Sequence, residues 1–178
     1  MNKQMAQYIQ GNLTEIISNW QEKMKNEKDE RAFQVMPVEL MNQTSHEFAE
    51  LMISNLLESH QAYESRVNDF AEKVVRLGWS ITFVTKAINH FAEIVYEGMV
   101  REEIINEGNI KPFVDEFSNW ISPIRDSTIQ AYSKTWERTV SLQKIALQEL
   151  SASLIPVFEK VSVMPLVGTI DTERAKLI

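Results

Sequence analysis

From Ile124 to about Leu150 the sequence contains no glycine and no proline, and this run constrains the fold more than any other feature. Nothing in it interrupts a helix, which at about 1.5 Å per residue would reach roughly 40 Å. Its apolar residues are sparse: Ala131, Trp136, Val140, Leu142, Ile145, Leu147 and Leu150. So long and thinly apolar a helix is predicted to be a stalk that pairs with a partner helix, although its heptad is irregular and short.

Upstream, apolar residues recur at steps of three and four, the mark of amphipathic helices packed around one core. Met5, Ile9, Leu13, Ile16, Ile17, Trp20 and Met24 predict a first helix, with Gly11 weakening its early turns. The charged "EKMKNEKDER" reads as a solvated helix end and loop. A second helix from about Val38 carries Met41, Phe48, Leu51, Met52 and Leu56. A third carries Tyr63, Val67, Phe70, Val74 and Leu77, and Gly78 is placed to cap it. Ser80 can cap a fourth, with Phe83, Val84, Ala87, Ile88, Phe91, Ile94 and Val95 inward, ended by "NEGN". Pro112 suits the first turn of a fifth, with Phe113, Phe117, Trp120 and Ile121 inward, and Pro123 is expected to break or bend it.

After "SAS" the period changes. "LIPVF" and "VSVMPLVGTI" are rich in β-branched residues and read as two strands joined across Glu159-Lys160, with Pro156 and Pro165 suiting edge or bulged positions. "DTERAKLI" then reads as the start of a helix. An all-α domain, a long connector and a short stretch of a second fold class follow one another.

That ending, "ELSASLIPVFEKVSVMPLVGTIDTERAKLI", resembles the start of the STAS (anti-anti-sigma-like) domain of RsbR-type stressosome proteins, in its E-L-S, I-P-V and P-L-V-G-T-I-D-T-E-R-A pattern. "LGWSITFVTKAINHF" and the long helix after Trp120 resemble the N-terminal domains of the same proteins. The resemblance implies an all-α, globin-like sensor bundle over residues 1–122, usually without haem. It implies a linker helix over 123–153 and a truncated α/β STAS start over 154–178, so the chain is expected to break off soon after the output domain begins. It also implies a homodimer that assembles with a STAS-only partner into the stressosome, a cytoplasmic complex. That complex holds a serine/threonine kinase and, by partner switching, governs a general-stress sigma factor.

One site follows from the resemblance. The family's first phosphorylated threonine lies in the "IDTERA" motif, which places it at Thr172. Alone, these residues describe only a helix N-terminus. A phosphate there would meet free backbone N–H groups and the positive end of the helix dipole, with Arg174 in reach but Asp171 and Glu173 adding like charge. Phosphorylation is therefore expected to change an interface rather than lock a new bond.

Composition excludes other classes. A formal net charge of −7 argues against nucleic acid or anionic lipid as the main partner, and the absence of cysteine removes disulfides and thiol catalysis. No apolar run approaches a membrane span, and the N-terminus lacks the apolar segment of a signal peptide. Phosphate-cradling and H-E-x-x-H motifs are missing, and carboxylate pairs such as Glu102-Glu103 sit in charged surroundings, so no enzyme is expected. A globin-like bundle raises the alternative of a haem- or small-ligand-binding sensor. Of His46, His60 and His90, only His90 lies beside an inward residue, Phe91, and a lone histidine near an apolar face is usually exposed or hydrogen-bonded. No cofactor is expected.

Overall fold

Gly78 and Ser80 end one helix and start the next as the sequence predicts. Gly78 takes φ +76°, its N–H donates to Val75 O and the Trp79 N–H to Val74 O, the paired bonds of a Schellman cap. Two residues later the Ser80 side chain accepts from the Phe83 N–H at 3.1 Å. Glycine supplies the left-handed turn without a Cβ clash, so one helix ends at Arg76 and the next begins at Ile81.

The computed structural model describes residues 2–27, 31–57, 60–151 and 155–163. Among them are α1 (Asn2–Gly11), α2 (Leu13–Lys25), α3 (Arg31–Gln34), α4 (Val38–Leu57), α5 (His60–Arg76), α6 (Ile81–Arg101) and α7 (Ile110–Ser151). An antiparallel pair follows, β1 (Ile155–Phe158) with β2 (Val161–Val163), in which Ile155 opposes Val163 and the register shifts between Pro156 and Phe158. The chain divides into two compact units, Met1–Thr135 and Trp136–Ile178.

The first unit is built on buried aromatic rings. Trp20 stacks on Phe48 with centroids 4.7 Å apart, and Phe91 meets Phe48 edge-on at 5.6 Å. Two indoles also fasten helices by their N–H groups: Trp20 Nε1 donates to Ala87 O at 2.9 Å and Trp120 Nε1 to Met52 O at 2.7 Å. A ring contributes roughly 2–3 kcal/mol by burial, and pairing its N–H removes the penalty of an orphaned buried donor.

Five local expectations are corrected. The predicted first helix is two, α1 and α2, jointed at Asn12, whose Nδ2 donates to Tyr8 O at 3.2 Å and whose φ of −114° leaves the helical range. The predicted solvated loop contains α3, because Phe33 is buried at 2% exposure, 5.5 Å from Trp79 and 5.3 Å from Phe83. α6 stops at Arg101, before "NEGN", in a Schellman pattern whose left-handed residue is Glu103 at φ +58°.

Pro123 does not end the fifth helix, which runs unbroken into the predicted stalk. The stalk's first turns are not unpartnered either. Ile124, Thr128, Ala131 and Tyr132 are buried, and the Tyr132 hydroxyl donates to Trp79 O at 2.6 Å. Sparse apolar residues suffice there because they fall on one face. From Trp136 onward Val140, Leu142, Ile145 and Leu147 are exposed.

Candidate functional site

The bundle interior, where a prosthetic group would have to fit, is occupied by side chains. Phe33 touches Trp20, Trp79 and Phe83, and Phe70 touches Phe48 and Trp79, each pair within 6.4 Å between centroids. Two of the three histidines lie elsewhere. His46 is exposed, with Nδ1 2.9 Å from Asn42 O. The His60 side chain lies outside the described residues. His90 is half-buried, with Nε2 2.9 Å from Glu27 Oε1 and Nδ1 3.5 Å from Glu93 Oε2, so both ring nitrogens face carboxylates rather than the aromatic interior.

His90 belongs to an ionic chain that fastens the end of α2 to α6. Glu27, just past α2, also accepts from Lys86, and Glu93 from Lys23 at 2.8 Å. The Lys86 hydrogen bond, seconded by that of His90, holds the Glu27 carboxyl below its ordinary value. Lys23 is the main cause of the same downward shift at Glu93. Among the described residues no three His, Asp or Glu side chains are grouped to hold a metal ion.

A cleft of about 350 Å³ lies between α1, α2 and α6. Ile16, Ile94, Gly98 and Tyr8 line it together with Glu15, Glu22, Glu97, Lys23 and Arg101. Tyr8 is only 6% exposed, and burial raises its phenol above the ordinary value, with Glu102 adding and Arg101 opposing. Arg101 donates to Glu15 Oε1 at 3.0 Å. The sequence reading missed this cleft, because Tyr8 and Gly98 are ninety residues apart and only folding brings them together. The one local signal was Gly98, a helix-breaking residue inside an otherwise apolar, helical stretch.

A second buried phenol, Tyr63 on α5, is pushed up to about 12 by burial, with Ser127 opposing and the charge of Asp126 adding. Both latter residues stand on α7. An apolar seam lies where α6 meets the first turns of α7. Tyr96 of α6 packs 6.1 Å from the rings of Phe113 and Phe117, and Tyr96, Val100, Ile110 and Val114 are exposed around it. Thr172, and the helix start predicted around it, lie outside the described residues.

Among the described residues no helix is long and apolar enough to cross a membrane. The first unit is thus an all-α, globin-like bundle whose last helix continues past it. It superposes with a TM-score of 0.63 on a solved structure described as the N-terminal domain of RsbR, over 76% of this chain and 99% of that one at 18% identity. The family model described as "Rsbr N terminal" matches residues 9–137, and the chain belongs to that family. It is similar to "RsbT co-antagonist protein RsbRA" of Bacillus subtilis (strain 168), 36% identical over 99% of this chain. "RsbT co-antagonist protein RsbRC" of the same organism is 26% identical over 99% of it. The chain spans 64% of the length of RsbRA and 67% of RsbRC.

Proposed function

We propose that this chain is the input part of a non-catalytic stressosome subunit, with residues 1–122 as sensor, 123–153 as connecting helix and 154–178 as the opening of a STAS output domain. RsbRA and RsbRC are named co-antagonists of RsbT, and the proposed partner here is likewise the serine/threonine kinase of the stressosome. A STAS-only protein would complete the assembly in the cytoplasm, and release of the kinase would activate the general-stress sigma factor. The observation that carries this reading is the family match over residues 9–137, on a bundle whose last helix runs on to Ser151. Such a helix can pass a shift from one domain to the next if it has two arrangements to choose between.

The proposed homodimer would use the seam of Tyr96, Val100, Ile110 and Val114, which leaves apolar area in water on both α6 and α7. Light scattering should give twice the protomer mass, and Val114→Glu should return it to one. The proposed phosphoacceptor is Thr172. A chain long enough to hold a complete STAS domain, incubated with kinase and ATP, should carry phosphate at Thr172 by mass spectrometry, and Thr172→Ala should alter a sigma-factor reporter. Phosphate landing only elsewhere, such as Thr169, with a wild-type response from Thr172→Ala, removes the assignment.

The connecting helix has its own test. Two glycines inserted near Ser141 cost about 1 kcal/mol each in helix stability. They should abolish the stress response or make it constitutive while both flanking domains stay folded. A response of wild-type amplitude would reduce the helix to a tether. The cleft between α1, α2 and α6 favours a second reading, a sensor that holds a small ligand. Freshly purified protein should show no Soret band, since the cleft lining holds no histidine to ligate a haem iron.

A further inference from the structure

Along the α1–α2–α6 cleft the polar groups are unevenly satisfied. Toward the start of α2, Arg101 donates to Glu15 and lines the cleft together with Tyr8. The hydroxyl's own hydrogen has no acceptor among the described residues, although Tyr8 is 94% buried by the complement of its 6% exposure and the cleft reaches it. Its phenol stays protonated, because burial raises its pKa. Two turns along α2, about 10 Å away, stands Glu22. On α6 Glu97 stands one turn before Arg101, and neither carboxylate has an ion-pair partner among the described residues. Lys23, the remaining cation of the lining, is already bonded to Glu93.

One end of the cleft therefore offers donors, the phenolic O–H and a guanidinium with spare N–H groups, and the rest offers bare carboxylates. Ile16 and Ile94 give it an apolar lining, and its volume lies at the lower end of the range of small-molecule sites. We propose that this cleft binds a small zwitterion, with its carboxylate at Tyr8 and Arg101, its primary ammonium at Glu22 and Glu97, and a short methylene chain against Ile16 and Ile94. A simple cation would leave the Tyr8 hydrogen unused, and a simple anion would meet the two carboxylates. Such a ligand bridges all three helices that line the cleft.

The binding test stands apart from the stressosome reading, since it uses the purified chain without kinase or partner. The probe is 6-aminohexanoate, followed by calorimetry and thermal melting. Saturable binding with a raised Tm is expected. Cadaverine, which lacks the carboxylate, and hexanoate, which lacks the amine, should each bind at least about tenfold more weakly. Glu22→Gln and Glu97→Gln should weaken the probe about tenfold, and Tyr8→Phe several-fold, with the ligand-free variants melting as cooperatively as wild type. No saturable heat or Tm shift at millimolar probe overturns the proposal. Equal binding of cadaverine also overturns it, as cation attraction to a chain of net charge −7. So does wild-type affinity in both Gln variants.

Discussion

A β-carbon at Gly98 would lie 1.8 Å from the Tyr8 hydroxyl oxygen, so the glycine on α6 and the tyrosine on α1 specify each other. Gly98→Ala gains about 1 kcal/mol of helix propensity but forces the ring aside, and overpacking costs about 1–3 kcal/mol. The expected sum is a loss of stability in the wild type. In a Tyr8→Ala background the clash is gone, and the same substitution should stabilise by about 1 kcal/mol. Urea denaturation of the four proteins measures both. The same sign in both backgrounds would disprove the interlock.

Glu103 holds the left-handed position that ends α6, at φ +58°, where a Cβ is strained by roughly 1–2 kcal/mol. Gly78 fills the equivalent position after α5 without that strain. Glu103→Gly should raise the unfolding free energy from urea denaturation by up to about 1 kcal/mol, with a higher midpoint, the relief being partly offset by a freer unfolded chain. A lowered midpoint would mean that the glutamate side chain holds a contact of its own.

Acid should loosen the joint between α2 and α6. The Glu27 and Glu93 carboxyls are held below their ordinary value of 4.5 by Lys86, Lys23 and His90. Folding is therefore favoured by their ionised form, a contribution present above that ordinary value and lost as pH falls through the lower, folded-state values. Urea midpoints measured downward from pH 6 should fall less steeply in Glu27→Gln than in wild type. Parallel curves would show that Glu27 contributes nothing to the acid limb.

Alkali should act through Tyr63. Its phenol ionises near 12 in the folded protein and near 10 when unfolded, so its contribution is full below pH 10 and lost as pH rises toward 12. Absorbance titration at the phenolate band should show a late-titrating component, shared with the raised Tyr8 phenol, that shrinks by one tyrosine in Tyr63→Phe. The variant should also resist alkaline unfolding better than wild type. A late component that the substitution leaves undiminished belongs to a different residue.

Much of the fold was legible along the chain, because it rests on short-range rules. Helix period, the Gly78 turn and the Ser80 cap each depend on residues within a few positions of one another, and each forms as predicted. Membership of the Rsbr N-terminal family was legible too, from motifs contiguous in sequence.

What tertiary structure decided depends on distance. Phe33 sits in a charged segment that gives no periodic signal, yet a gap beside Trp79 and Phe83 draws it inward. Pro123 is tolerated because helix on both sides of it is packed, at Trp120 and Ile121 and again at Ile124. The apolar residues of the predicted stalk could not say where burial ends. Contact with Trp79 holds the helix as far as Tyr132, and the exposed run begins at Trp136. The cleft is the extreme case, since Tyr8, Glu22 and Gly98 acquire a common environment only when three helices pack. Local sequence sets what each segment can be, and packing between segments far apart in the chain sets which of its groups meet.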